Sequence, residues 1–484
     1  MVDTDVMATP RIGGPRLGEY ARSRPFAIVS PGFEQRVDRG GSLDHLHRCR
    51  TSPPAPYAAI ELGVEAADAP VSLGLTAPDG DGVLVEYDPR RRRARIVVIV
   101  DGVRHRLRSR RIGGATLHRL AFVVCENQVT AVVDSGRGWR PIATSRVEVS
   151  RLVDLRDPEV LGRLNYTWGT SGPGSVTVRD VRAGPFGMTG VRDPHLVQYA
   201  DGAPYVRDGR TYVTMTCAGM GFFQQAHWGV FALDLDAPDE LTQVAHLYTR
   251  RDGLLLGDHA GQIVIDGDRC IVVASSWGDF TPQRGVHVRH AVTGLDILSG
   301  VHVLETDRLA LPTEQSAWDP ALTRIADRWH IAYVESPSQE PFRFHPALAA
   351  SSAGGAYDDL TAIGADTDHE QCEGPVIAQL DGEWRVLASD GHARDYPVYD
   401  LDLKRIGSLD ATYGTNIPHP QLIPADEEGT ERMLTFDGTP WGNRILGYGT
   451  HGDLVLMRRL GRRAQPRNPS SFSLNNSGSS LNGA

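Results

Sequence analysis

Arg192-Asp193-Pro194-His195-Leu196-Val197 is a polar residue, a proline and a short apolar run, and its recurrence decides the fold. Variants follow as Gly257-Asp258-His259-Ala260-Gly261-Gln262-Ile263-Val264, Trp318-Asp319-Pro320-Ala321-Leu322, Cys372-Glu373-Gly374-Pro375-Val376-Ile377 and Ile417-Pro418-His419-Pro420-Gln421-Leu422-Ile423. With Asp193, Asp258, Asp319, Glu373 and His419 taken as key positions, the intervals are 65, 61, 54 and 46 residues. Repetition at roughly 40–60 residues marks a propeller of four-stranded blades. A ring of blades carries corresponding positions to one axis, where side chains distant in sequence can meet.

Working outward, each phrase is followed by a turn and a second apolar run. Asp208-Gly209 precedes Thr211–Thr216, Asp266-Gly267 precedes Cys270–Ser275, and Asp327 precedes His330–Val334. Asp381-Gly382 precedes Trp384–Ala388, and Glu428-Gly429 precedes Met433–Phe436. In the last four units the turn residue follows the key residue by eight or nine positions, as a tight hairpin requires. This predicts a five-bladed β-propeller over residues 188–461.

Upstream, β-branched runs alternate with Asp-Gly and Ser-Gly turns. Examples are Gly82–Tyr87, Ala94–Val100, Arg119–Val124 and Gln128–Val133, with turns at Asp101-Gly102 and Ser135-Gly136. Such runs predict antiparallel sheet, and residues 31–187 are expected to form a β-sandwich of jelly-roll type. The whole chain is therefore expected to be all-β. Residues 1–30, rich in Pro, Gly and Arg, carry no periodicity and are expected to be irregular. The Ser/Asn/Gly-rich tail, 462–484, has the composition of a disordered segment.

Composition is that of an ordinary globular protein, 40% apolar and 23% charged over 484 residues. The formal charge of −10 argues against nucleic acid or an anionic membrane as a partner. No apolar run approaches the ~18 residues of a membrane span. Five cysteines, odd in number and without a CxxC pair, suggest reduced thiols. With no secretory-type apolar segment in Met1–Arg22, a cytoplasmic location is expected, or a secreted one if a leader precedes the sequence given. There is no phosphate loop, GxSxG elbow or HExxH site, so no nucleotide cofactor is indicated.

Arg192-Asp193-Pro194, Trp318-Asp319-Pro320 and Cys372-Glu373-Gly374-Pro375 resemble, in order and in their flanking Pro and Gly, the three acid motifs of glycoside hydrolase family 43 and its clan F relatives. The likeness covers about 270 residues, and the N-terminal half loosely resembles a concanavalin or laminin-G-like sandwich. What the resemblance implies is inverting hydrolysis of a furanoside or pentoside, of arabinofuranoside or xyloside type. Asp193 would be the general base, Glu373 the general acid, and Asp319 would orient Glu373 and raise its pKa. It also implies a central calcium ion touched through water by His419. An Asp before Pro can equally cap a turn, and a channel histidine can be hydrogen-bonded without a metal.

A carbohydrate substrate would need polar and aromatic contacts, because sugar rings stack on aromatic faces. Arg192, Asp258, His259, Trp228, Trp277, Trp318 and His392 are the candidates, alongside Phe222 and Phe223; packing between blades is the competing role for each. Two other readings stay open. A retaining, fructan-type enzyme on the same propeller would use Asp193 as nucleophile, though the Arg-Asp-Pro position and the Cys-Glu order disfavour it. A non-catalytic carbohydrate-binding propeller would keep the acids only to hold an ion.

Overall fold

The computed structural model describes residues 10–37, 40–113, 117–238, 240–426, 429–439 and 452–459. The expected disordered tail at 462–484 lies outside the described residues. Within them the chain is all-β apart from two short α-helices, Val147–Ser150 and Pro158–Arg163, and one 3-10 turn. No described helix is long and apolar enough to cross a membrane.

The N-terminal half is a two-sheet sandwich. One sheet runs in the order Val103–Arg111, Arg93–Val100, Gly82–Asp88, Val71–Thr76, Asn165–Thr170 and Leu46–Arg48. The other is built on Trp139–Ser145, Gln128–Asp134, Arg119–Cys125, Tyr57–Ala67 and Val176–Met188. Ile60, Leu62, Phe122 and Val124 face the first sheet's Leu73, Val85 and Ile96 in the sandwich core. Their alternate neighbours Tyr57, Ala59, Val123 and Cys125 pack on Met220 and Tyr248 of the other half. Burial on both faces explains why these strands read as unbroken apolar runs.

The second half closes into five blades. Their innermost strands are Val191–Leu196, His259–Asp266, Ser316–Ile325, Cys372–Leu380 and Gln421–Ile423, each packed on the next and the last on the first. Asp208, Asp266-Gly267, Asp327 and Asp381-Gly382 sit at the hairpins after the first four of these strands. Asp208 and Asp381 have φ of 52° and 54°, the left-handed backbone that two-residue hairpins require.

The fifth blade departs from the sequence expectation. Arg11–Ser23, inside the segment read as irregular, is a 13-residue strand. It pairs antiparallel with Asp453–Arg459 and parallel with Arg405–Ala411, joining blades four and five into one eight-stranded sheet. Three glycines and a proline interrupt its apolar pattern, so periodicity does not reveal it. Leu17, fully buried among Leu409, Met433 and Val455, anchors it. The ring is thus closed by a strand from the other end of the chain.

Candidate active site

A β-bulge near the start of each of the first four inner strands positions the site. The pairing register slips by one residue between Arg192 and His195, His259 and Gln262, Trp318 and Ala321, and Glu373 and Val376. The bulged residues Asp193, Ala260, Asp319 and Gly374 all adopt left-handed backbone, with φ of 50°, 51°, 51° and 64°. Bulges redirect side chains and concentrate beside functional sites. The structurally equivalent positions therefore differ from the key positions of the sequence pattern. Ala260, two residues past Asp258, matches Asp193, and Glu373 matches Arg192, His259 and Trp318.

The residues before the bulges (Arg192, His259, Trp318 and Glu373) line one cavity of about 240 Å³ at the axis, together with Asp193, Asp319 and His419. His419 Nε2 lies 3.6 Å from Asp193 Oδ1 and 3.5 Å from Asp319 Oδ2, a wedge between two carboxyl groups. Asp319 Oδ2 accepts the backbone N–H of Gly374 at 3.3 Å, and its own N–H donates to Ser275 Oγ at 2.9 Å. A Cβ on Gly374 would lie 2.2 Å from the His419 ring, so only glycine fits there. Trp318 Nε1 donates to Glu373 Oε2 at 3.4 Å.

The environments push these acids apart. Burial, then the Asp193 charge, raises Glu373 to about 7 against the opposing pull of Arg192 and Trp318. Burial also pushes Asp193 up, but His419, Arg192, His259 and a hydrogen bond from Thr216 outweigh it and hold Asp193 below its ordinary value. Asp319 is raised well above its ordinary value by burial and by the Glu373 and Asp193 charges. Burial lowers His419 to about 4, so its ring is neutral near pH 7. Of the three carboxyls in the cavity, Asp193 is thus the one held ionised, while Asp319 and Glu373 are pushed toward the protonated form.

Aromatic rings form the other wall. Phe223 stacks on Trp277 at 4.5 Å, Trp277 meets Trp318 at 5.5 Å, and Trp318 stacks on Phe342 at 5.6 Å. Arg192 lies 4.5 Å over the Phe436 ring and donates to the Asn416 carbonyl at 3.4 Å. His259 donates from Nε2 to the Phe223 carbonyl at 3.1 Å, which ties blade two to the wall.

No family model matches this chain, and no curated protein does. Solved structures resemble it. A family GH43_1 enzyme from Xanthomonas citri is 15% identical, with a TM-score of 0.39, over 57% of this chain and 89% of its own. A family 117 glycoside hydrolase of Zobellia galactanivorans is 10% identical, with a TM-score of 0.41, over 56% and 84%. An α-L-arabinanase of Penicillium chrysogenum complexed with arabinobiose is 11% identical, with a TM-score of 0.36, over 86% and 98%. At such values the fold is read from this chain's own strand pairing, and the chemistry from its side chains.

Of the residues singled out in the sequence, Arg192, Phe223, His259, Trp277 and Trp318 border the cavity with the three acids and His419. Four do not, and the first of them, Phe222, is largely exposed. Asp258 is fully buried and paired with Arg251 at 2.6 Å, also accepting the Gly278 N–H at 2.9 Å, because it precedes the bulge by two residues. Trp228 is fully buried between blades among Val230, Leu247 and Ile263. His392 is exposed, its backbone N–H donating to Asp390 Oδ1 at 2.8 Å in the turn after a blade-four strand.

The calcium expected at His419 meets no direct donor set. Among the described residues no three His, Cys, Asp or Glu side chains are placed to hold a metal, whereas calcium takes about six to eight oxygens. The sequence reading missed Phe342, Phe344, Gln371, Asn416 and Ile417, which complete the lining. The period-two Phe342-Arg343-Phe344 was a usable signal. Asn416 and Ile417 were not foreseeable, since their role comes from consecutive left-handed backbone at φ 60° and 53°.

Proposed function

We propose that this protein is a glycoside hydrolase that cleaves a furanoside or pentoside bond by single displacement. Asp193 takes a proton from a water whose oxygen bonds to the anomeric carbon. The bond from that carbon to the leaving oxygen breaks, and Glu373 gives its proton to that oxygen. Proton exchange with solvent then returns both carboxyls to their starting states, so no co-reactant is needed.

The observation that carries this reading is the opposed ionisation of Asp193 and Glu373 within one cavity, with the Asp193 charge itself helping to keep Glu373 protonated. Acetal cleavage requires a carboxylate and a carboxylic acid flanking the bond. Asp319 would orient Glu373, as the family resemblance implies, by accepting the next residue's N–H, while burial and then the charge of Asp193 lift the Glu373 pKa. The aromatic wall supplies apolar faces for a sugar ring. The cavity, smaller than the ~300–1,000 Å³ of drug-sized sites, suits one sugar unit at a time.

A chromogenic screen of aryl arabinofuranosides, xylosides and related glycosides tests the reading. The expected result is turnover by the wild-type protein and a loss of about 10³-fold or more in Asp193→Asn. No turnover on the panel, or an unaffected Asp193→Asn, would refute it.

A further inference from the structure

A second cavity, of about 170 Å³, lies at the seam between sandwich and propeller. The sandwich contributes Glu126, Asn127, Arg146 and Arg156; the propeller contributes Gln224, Gln225 and residues 278–281. Glu126 and Gln225 are each only 2% exposed. Glu126 Oε1 accepts the Tyr57 hydroxyl and the Gly257 N–H, both at 3.0 Å, while Oε2 has no hydrogen-bond partner in the protein. Gln225 Oε1 accepts the Phe222 N–H at 3.2 Å, while Nε2 has no partner. Native proteins leave few buried polar atoms unpaired without a reason.

What remains unpaired defines the ligand. Most charges already face an opposite one: Arg156 holds Asp154 through two bonds at 2.9 Å and stands 4.0 Å from Glu126 Oε2, and Asp279 is held by Arg251 and Arg284. Arg146 donates to Gln224 Oε1 at 3.5 Å. Left without a hydrogen bond are one carboxyl oxygen and one amide nitrogen, beside the apolar Phe280. With the carboxyl already facing a guanidinium, that combination fits a neutral, hydroxyl-rich molecule.

The seam cavity stands back to back with the catalytic one. Phe223 and Trp277 line the catalytic side, whereas their neighbours Gln224, Gln225 and Phe280 line the seam side. The dividing layer is one ring thick, with Phe280 5.7 Å from Phe223 and 5.2 Å from Trp277. Phe222, 59% exposed, is the next residue along that layer. We propose that the seam cavity is a distal subsite for a neutral sugar residue of the same glycan whose bond lies in the catalytic cavity. This rests on the hydrolase reading, and it makes the sandwich part of substrate recognition.

The probes are neutral oligosaccharides of two to six residues on a glycan array, with affinities then measured in solution against Glu373→Gln protein, which binds without cleaving. Ser150→Trp plugs the cavity from an exposed lining position, and the exposed Arg146→Ala is a second variant should the first fold poorly. Longer chains are expected to bind about tenfold tighter than a disaccharide, the worth of one or two hydrogen bonds, and either variant should erase that gain. Aryl-monosaccharide turnover by Ser150→Trp in the otherwise wild-type protein should stay within about twofold, since such substrates end before the seam. Affinity independent of chain length, a gain that survives both variants, or no binding of any neutral glycan would overturn the proposal. Free monosaccharide binding lost in Ser150→Trp without any chain-length effect would instead indicate a separate effector site and also overturn it. Length-dependent binding without hydrolysis would remove the hydrolase and keep the subsite; hydrolysis without length dependence would do the reverse.

Discussion

Asp319 of blade three accepts the backbone N–H of Gly374 in blade four at 3.3 Å, fixing the chain immediately after Glu373. The contact crosses between blades, so the position of the proposed proton donor's strand depends on a side chain 55 residues before Gly374. Asp319→Ala should lower kcat about 100-fold, the scale of a misplaced catalytic group. Asp319→Asn keeps an acceptor oxygen and should recover most of that loss. Steady-state kinetics on one aryl glycoside compares the two, and equal damage in both would assign Asp319 a role through its proton or charge.

The pH profile follows from the two opposed acids. Glu373, raised to about 7 by burial and then by Asp193, must keep its proton, so kcat/KM should fall tenfold per pH unit above about pH 7. Asp193, held below its ordinary value, must be ionised, so the acid limb should lie below pH 3.8. Stability has its own sign. In the folded protein Glu373 keeps a proton that the unfolded chain loses near 4.5, so its contribution declines as pH rises from 4.5 through about 7, then levels. Glu373→Gln should melt higher than the wild type above pH 7. Thermal melts across pH check this.

Asp258 is expected to matter for stability and not for substrate. It is fully buried against Arg251, whose side chain is only 4% exposed and which also meets Asp279 at 2.6 Å, so Asp258→Ala removes one of that cation's carboxylates and leaves the buried Thr249 hydroxyl and Gly278 N–H without their acceptor. The expected cost is about 1–3 kcal/mol by denaturant unfolding. KM in the fraction that folds should be unchanged; a KM effect at unaltered stability would restore the binding role.

Ring closure by the N-terminal strand gives a further expectation. Leu17→Ala removes a fully buried side chain from the fifth-blade core and should cost about 2–5 kcal/mol. That is a large share of the ~5–15 kcal/mol available to a typical domain. An unchanged unfolding midpoint would mean that Arg11–Ser23 does not close the ring.

The repeat was legible because every blade must begin at the axis and turn back within a few residues, which leaves the polar-Pro/Gly-apolar phrase and the Asp-Gly hairpin in the text. The acids were legible for the same reason. Their exact equivalence was not, since a bulge shifts register by one residue without marking the sequence: Asp258 has the spacing of an axial residue, yet Ala260 occupies the bulge. The closing strand Arg11–Ser23 was hidden because its pairing partners lie some 400 residues away. Trp228 and His392 show the limit of residue type alone, because packing direction decides whether an aromatic or imidazole ring meets a cavity, a blade core or solvent. Glu126 had no local signal at all; its neighbours Tyr57 and Gly257 come from two different halves of the chain.

Proton NMR of the first sugar released from a cleaved aryl glycoside, read before mutarotation, bears most directly on Asp193 as base and Glu373 as acid. Inverted anomeric configuration in the wild type, with no product from Asp193→Asn, is the expected result. Retained configuration would make Asp193 a nucleophile, and together with undiminished turnover in Glu373→Gln would contradict the proposed chemistry outright.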